Sequence, residues 1–176
     1  MSTGETRDVV AGYVAALRRG DLDALRASFT PKATWTIRGD IPVAGTWTGP
    51  AEILDGFLAR VTATLDPQAP VTQDLHRIIA DGDCAVAEWT SHARARNGAP
   101  YDNDYAVVVH VTGGRIDAVT EYCDTSYMRR VLFDQKPRSM AGVAAVPPSL
   151  LAPGRAPAIP ACSRGESAPA YLTDRE

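Results

Sequence analysis

The sequence predicts an α+β domain in which N-terminal helices pack on one face of a curved, antiparallel or mixed β-sheet. Apolar residues at helical spacing are concentrated before residue 62. Segments of alternating, β-branched character follow between residues 71 and 123, and the Gly-Gly pair at 113–114 joins the last two as a hairpin. Helices followed by a run of antiparallel strands are typical of this class.

Two helices are predicted at the N-terminus. The apolar face of the first helix, in "RDVVAGYVAALRRGD", consists of Val9, Tyr13, Ala16 and Leu17. Gly20 is expected to end this helix, because glycine readily adopts the left-handed conformation. Asp21 can cap a second helix. The apolar face of the second helix is expected to be Leu22, Leu25 and Phe29.

The remaining elements are one strand, one helix and then four strands. "ATWTIRG" (33–39) alternates as a strand does, and "TGPAEILDGFLARV" (48–61) has a proline near its first turn and an apolar stripe, as a helix does. The later strands are expected at 71–80, 84–95, 104–112 and 115–123.

The composition changes near Pro137. Residues 137–176 contain seven of the 13 prolines and show no hydrophobic periodicity. Proline removes backbone donors and fixes φ, so this segment is expected to remain a disordered Pro/Ala-rich tail over 136–176. The folded domain is then 1–135.

The totals exclude several function classes. A formal net charge of −3 and scattered Lys and Arg residues do not favour binding to nucleic acid or to an anionic membrane. No apolar run has the length of a membrane span. Cys84, Cys123 and Cys162 lack the spacing of a disulfide framework or a zinc site. These features favour a cytoplasmic protein.

Three segments resemble the SnoaL-like, ketosteroid-isomerase-like group of the nuclear transport factor 2-like superfamily. They are "YVAALRRGDLDALRASFTPKATW", "AGTWTGPAEILDGF" and "YDNDYAVVVHVTGGRIDAVTEYCDT". The resemblance covers about residues 6–127 and implies a cone-shaped sheet wrapped around helices, with a deep apolar pocket. It also implies a homodimer formed through the outer surface of the sheet. The fold hosts isomerases, cyclases, dehydratases, epoxide hydrolases and non-enzymatic modules, so function must be argued from the site.

The sequence departs from two mechanisms known in this group. Ile37 stands where ketosteroid isomerases have a proton-transferring aspartate. Trp35 and Ile37 stand where limonene-epoxide-hydrolase-type proteins have the tyrosine and asparagine that bind water. The Arg-x-Asp pattern of those hydrolases is also missing from "CAVAEWTSHARA". Neither mechanism is expected in its standard form.

Other polar residues are expected in the pocket. Tyr13 matches the tyrosine with which ketosteroid isomerases stabilise an enolate oxygen, and a buried phenol can donate to such an oxyanion. Tyr105 resembles the position of their second donor, and Asn103 shares its strand face. The alternative for all three is a structural role in the core or at loop contacts.

Glu121 is the leading candidate for acid–base chemistry. Alternation places Glu121 on one strand face with Val119 and Cys123, which the resemblance turns inward. Burial in an apolar cavity should raise the pKa of its carboxyl group towards neutrality. The corresponding position in the epoxide hydrolases is a catalytic aspartate. Asp124, near an acid used by some SnoaL-like cyclases, is a reserve candidate if the strand bulges.

The substrate-binding wall is predicted to be apolar. Its expected members are Trp35, Ile37, Trp47, Phe57, Trp89, Val107, Val119 and Cys123. No two histidines have metal-ligand spacing, so no metal is expected, and no dinucleotide fingerprint indicates a cofactor. His110 is expected on the outer face, while the positions of His76 and His92 stay open.

The sequence therefore predicts a cofactor-independent cyclase or isomerase acting on a hydrophobic small molecule, such as a polyketide-like or terpenoid-like intermediate. Two alternatives stay open: an epoxide-opening cyclase or hydrolase, and a non-catalytic module that binds a small molecule or a protein.

Overall fold

The computed structural model describes residues 1–134, and the tail predicted for 136–176 lies outside the described residues. Helix α1 spans Thr3–Arg19 and begins with a capping box, in which Ser2 and Glu5 each bond to the other's backbone N–H. Gly20 ends α1 at a φ of 63°, where a side chain would be strained. Helix α2 spans Leu22–Ala27, and Asp21 caps it by accepting from the Ala24 N–H.

Two further helices complete the helical layer. Helix α3 runs continuously through Gly49–Ala51, the π-helical segment Glu52–Leu58 and Ala59–Thr62. Helix α4 consists of Thr125–Met128 followed by the π-helical Arg129–Phe133. Trp47 packs against Gly56, where an added Cβ would lie 2.9 Å from the indole ring. A larger residue at Gly56 would therefore push the indole away from α3.

Six strands form one curved, open sheet. They are β1 Phe29–Ile37, β2 Gly45–Thr48, β3 Thr72–Asp81, β4 Cys84–Arg94, β5 Pro100–Thr112 and β6 Arg115–Cys123. Their order across the sheet is β2-β1-β6-β5-β4-β3. Strands β1 and β6 pair in parallel, and the other neighbouring strands pair antiparallel.

The helices cover one face of the sheet, called the concave face below; the opposite face is called the convex face. Helix α1 packs against β3 and β4. Side chains alternate between the two faces as expected: Tyr101, Asn103 and Val107 of β5 are buried, whereas Asp102 and Asp104 between them are exposed. The concave face therefore supplies the core.

The predicted fold class is confirmed, with local differences. Phe29 begins β1 instead of ending α2, because the chain turns at Ser28 and Phe29 is buried beside Tyr13. Strand β2 and helix α4 were not predicted, since each is short and has little periodicity of its own. Strand β5 begins at Pro100, four residues before its predicted start.

Candidate active site: a buried carboxylate in an aromatic cavity

A cavity of about 500 Å³ lies between the helices and the concave face. Most of its lining is aliphatic or aromatic, which suits a hydrophobic ligand. The aromatic lining residues are Tyr13, Trp35, Phe57, Trp89, Tyr101 and Tyr105. The polar and charged lining residues include Arg18, Arg19, Thr62, Gln73, Ser91 and Glu121.

Glu121 is the buried carboxylate of this cavity and is 3% exposed. Its Oε2 accepts a hydrogen bond of 2.9 Å from the indole Nε1 of Trp35. Its Oε1 has no hydrogen-bond partner among the described residues. One oxygen therefore orients the carboxyl group, and the other is available to a ligand.

The neighbours of Glu121 explain its titration. Ile37 of β1 and Val107 of β5 lie opposite it in the two adjacent strands, and both are buried. Burial raises the pKa of Glu121 to about 7, although the hydrogen bond from Trp35 lowers it. Near neutral pH the carboxyl group can thus either accept or donate a proton.

Tyr13 approaches the same region from α1. Its ring packs against Phe29 and Trp35, with ring centroids 5.7 and 5.9 Å apart. Burial, and secondarily the charge of Glu121, raises the pKa of the Tyr13 phenol far above its usual value. Tyr13 is therefore a neutral phenol at all ordinary pH values. Tyr13 lines the cavity, so its protonated phenol is placed to donate to a ligand.

Tyr105, Tyr101 and Asn103 form a second polar group. The hydroxyls of Tyr101 and Tyr105 are 2.7 Å apart, and Asn103 Nδ2 donates to the Tyr101 hydroxyl at 2.9 Å. Burial raises the pKa of Tyr101 to about 12, and burial also raises the pKa of Tyr105. When Tyr101 donates to Tyr105, the Tyr105 proton is free to point into the cavity. Trp89 stacks on Tyr105 with a centroid distance of 5.6 Å and fixes its ring.

A third polar group lies at strands β3 and β4. Gln73 is buried, lines the cavity and faces Ser91 across the two strands. The Ser91 hydroxyl accepts from the indole Nε1 of Trp89 at 3.1 Å. Arg18, also in the lining, donates from Nε to the backbone carbonyl of Gln73 at 2.7 Å and ties α1 to β3.

The structure brings six of the sequence-predicted site residues together in the cavity lining: Tyr13, Trp35, Phe57, Trp89, Tyr105 and Glu121. Three other predicted wall residues, Ile37, Val107 and Val119, are buried in the core without lining the cavity. Their role is indirect, because they make the surroundings of Glu121 apolar.

Four further predictions are corrected by position. Asn103 lies behind the cavity, where its amide donates to the Tyr101 hydroxyl and to the Asp124 carbonyl. Its influence on the cavity is therefore indirect, through Tyr101. Asp124 is exposed and caps α4 by accepting from the Tyr127 N–H, so it does not turn inward. Trp47 lies outside the cavity, with its indole donating to the Val43 carbonyl. Cys123 lines a separate depression that also includes Tyr122 and Asp104.

The three histidines do not line the cavity. His76 bonds to Thr90, and His92 contacts Asp74 and Asp102 on the convex face. His110 lies 3.4 Å from Asp83, as an outward-facing residue of β5. Among residues 1–134, no group of three or more His, Cys, Asp or Glu side chains is arranged to hold a metal ion.

Two further observations concern the helices and the cysteines. In the part of the chain that the structure describes, no helix combines the length and the apolar character needed to cross a membrane. Cys123 is a free thiol.

Sequence reasoning missed Tyr101, Gln73 and Ser91. Tyr101 shares the alternation of Asn103 and Tyr105, but the predicted start of β5 at residue 104 left it in a loop. Gln73 and Ser91 are polar residues on inward-facing strand positions, and that mismatch was the available signal.

Comparisons with known proteins agree with this architecture. The family model for the SnoaL-like domain matches residues 10–119. An uncharacterised protein of Mycobacterium tuberculosis is 30% identical over 115 residues, which span 65% of this chain and 86% of that protein.

Solved structures show the same fold. An NTF2-like protein from Burkholderia thailandensis is 26% identical, with a TM-score of 0.66 over 74% of this chain and 98% of that one. An epoxide hydrolase of the LEH-like type from M. tuberculosis is 21% identical, with a TM-score of 0.59 over 74% and 90% of the two chains. At this identity the second likeness concerns the fold alone.

Proposed function

Because the chain belongs to the SnoaL-like family, whose fold hosts several chemistries, we propose its function from the site: a cofactor-independent acid–base enzyme. It would act as a cyclase or isomerase on a hydrophobic, ring-containing small molecule of polyketide-like or terpenoid-like character. The observation that carries this proposal is Glu121, a buried carboxyl group with one unpartnered oxygen in an aromatic cavity. We expect the enzyme to be cytoplasmic.

In this proposal Glu121 moves the proton. As the carboxylate, it removes a proton from a carbon next to a substrate carbonyl, and the electron pair moves onto the carbonyl oxygen. The protonated Glu121 then returns the proton to another carbon, which completes an isomerisation. In a cyclisation the enolate carbon instead attacks an electrophilic carbon of the same molecule, and the proton goes to the oxygen that gains charge there.

The tyrosines stabilise the oxygen. Tyr13 stays protonated because its pKa is raised by burial, so it can donate to the enolate without losing its proton. Tyr105 donates through the chain that begins at Asn103, and each bond of such a chain polarises the next.

Epoxide opening is the second candidate. A pKa of about 7 leaves a substantial fraction of Glu121 protonated at neutral pH, and this fraction could protonate an epoxide oxygen. The water-binding tyrosine and asparagine of limonene-epoxide-hydrolase-type proteins are missing at Trp35 and Ile37, so an intramolecular hydroxyl would be the attacking group.

The test measures proton abstraction directly. 2-Tetralone, a bicyclic ketone with acidic C1 hydrogens, is incubated with the protein in D₂O, and the loss of its C1 proton signal is followed by NMR. We expect the wild-type protein to accelerate exchange and Glu121→Gln to lose roughly a hundredfold or more, since general base catalysis typically contributes at least that factor. The rate should rise with pH to a plateau above about pH 7, as Glu121 ionises.

Glu88→Gln is the matched control. Glu88 alternates onto the convex face and pairs with Arg77, so its removal should leave exchange unchanged. Equal exchange rates for wild type and Glu121→Gln would refute the acid–base assignment and favour the non-catalytic binding module.

A homodimer through the convex face is part of the proposal. Ile79 and Tyr122 are large side chains that are 60% and 46% exposed there, which supports an interface. Light scattering coupled to size-exclusion chromatography should give twice the mass of the 176-residue chain, and Ile79→Lys should reduce it.

A further inference from the structure

Gln73 presents an unused hydrogen-bond acceptor to the cavity. Its side chain is 5% exposed, and Oε1 has no hydrogen-bond partner among residues 1–134. A buried carbonyl oxygen without a partner destabilises the folded state. Gln73 lies on the edge strand β3 and lines the same cavity as Glu121. A ligand group that donates a proton would satisfy this oxygen.

Ser91 places a hydrogen-bond donor beside this acceptor. Gln73 and Ser91 are direct cross-strand partners in β3 and β4, and both line the cavity. The Ser91 oxygen already accepts from Trp89 Nε1, so the hydroxyl proton of Ser91 is left to donate. An acceptor and a donor side by side match a group that can do both, which is a hydroxyl.

This pair is remote from Glu121. Glu121, Val107 and Ala87 lie in one row across β6, β5 and β4, and Ser91 is four residues further along β4. Four residues of strand correspond to about 13 Å, before the distance across the strands is added. The cavity therefore has two polar ends separated by an apolar, aromatic middle.

We propose that Gln73 and Ser91 form a subsite for a hydroxyl group at the end of the substrate farthest from the reacting carbon. The substrate is then a hydroxylated ring compound, with a carbonyl near Glu121 and Tyr13 and a hydroxyl near Gln73. The proposal rests on the proposed function only in that the substrate occupies this cavity.

The test compares two fragments of the same shape, p-cresol and p-xylene, which differ by a hydroxyl in place of a methyl group. Each is titrated into the full-length ¹⁵N-labelled protein, and the signals of the Gln73 side-chain amide and the Trp89 indole are followed by NMR. We expect p-cresol to bind about fivefold more tightly than p-xylene and to shift both signals, since one net hydrogen bond has about that effect.

The variants decide where the hydroxyl binds. Gln73→Leu and, independently, Ser91→Ala should bring the two fragments to nearly equal affinity, whereas Asp74→Asn, the neighbouring exposed position, should leave the ratio unchanged. A preference for p-cresol that survives both Gln73→Leu and Ser91→Ala would overturn the subsite. So would the absence of any shift at Gln73 and Trp89, with either fragment.

The result is separable from the acid–base proposal because it measures binding and not proton transfer. If 2-tetralone exchange fails but the p-cresol preference depends on Gln73, the subsite stands and the acid–base role of Glu121 falls. If Glu121→Gln abolishes the preference for p-cresol and Gln73→Leu does not, the hydroxyl binds near Glu121 and the subsite is refuted.

Discussion

The concave and convex faces of the sheet differ in how their charged side chains are paired and exposed to water. On the convex face, Arg77 and Glu88 form an ion pair of 2.8 Å in contact with water. His92 lies between Asp74 and Asp102 on the same face, and the hydrogen bond with Asp102 is the main cause of its raised pKa. On the concave face, Glu121 is buried with an uncharged indole as its hydrogen-bond partner.

The difference shows which carboxylate needs a functional explanation. Paired charges in water cost little and contribute little, so the ion pairs of the convex face require no catalytic explanation. Once ionised, a buried carboxyl group without a cationic partner destabilises the folded protein. An apolar residue at the same position would not have this destabilising effect. Strongly perturbed titration in a cavity is a mark of functional sites. Glu121 meets that description, and the convex carboxylates do not.

The largest predicted effect is on the pH dependence of stability. The pKa of Glu121 is raised from 4.5 to about 7 in the folded protein, so protonated Glu121 is favoured by folding. The contribution of protonated Glu121 to the free energy of unfolding is fully present below about pH 4.5 and is lost as the pH rises to about 7. Relative to Glu121→Gln, the wild-type protein should lose on the order of 3 kcal/mol of unfolding free energy between pH 4.5 and pH 8.

Urea unfolding of both proteins across this pH range gives the measurement. The difference between the two curves removes the contribution of the other titrating groups. Parallel curves would mean that Glu121 titrates as an exposed residue does, and the contrast between the two faces would disappear.

The next effect isolates the hydrogen bond from Trp35. Trp35→Phe keeps an aromatic ring but removes the N–H that lowers the pKa of Glu121. The pKa of Glu121 should therefore rise further, and stability at pH 8 should fall by about 2 kcal/mol, as expected for a hydrogen bond to a charged group. The ¹³C signal of the Glu121 carboxyl group reports this pKa directly.

Trp89→Phe is the matched control for that prediction. Trp89 lines the same cavity, but its indole donates to the Ser91 hydroxyl. The replacement of Trp89 by Phe should leave the pKa of Glu121 unchanged. Equal shifts in the two variants would show that general changes in packing, and not the Trp35 bond, control the titration.

The long elements and the placement of Glu121 could be predicted from the sequence. Strand alternation is a local rule, and Glu121 does line the cavity as that rule predicted. The same rule predicted the faces of Asn103 and Tyr105 in β5. Where one strand face is buried, the pattern of apolar residues is enough to orient the side chains.

Features set by tertiary contacts could not be predicted. Whether Trp47 lines the cavity depends on how it packs against Gly56 of α3, and not on its own strand. Asp124 became a helix cap because a short helix follows it, and that helix has no periodicity strong enough to detect. The polar residue types at Gln73 and Ser91 were visible in the sequence, but their pairing across β3 and β4 was not, because it depends on a register that contains a bulge between Leu75 and Arg77.

The smallest predicted effect tests the convex face itself. Glu88→Gln removes the ion pair with Arg77, whose side chains are 39% and 63% exposed. In a monomer the free energy of unfolding should change by no more than about 1 kcal/mol, and less in 1 M NaCl, because water and salt screen such pairs.

If the convex face is a dimer interface, the ion pair loses that screening. The loss of unfolding free energy in Glu88→Gln should then be larger and should depend on protein concentration. Urea unfolding at two protein concentrations distinguishes the two results. A large, concentration-independent loss would contradict both, since it would require Glu88 to be buried within one chain.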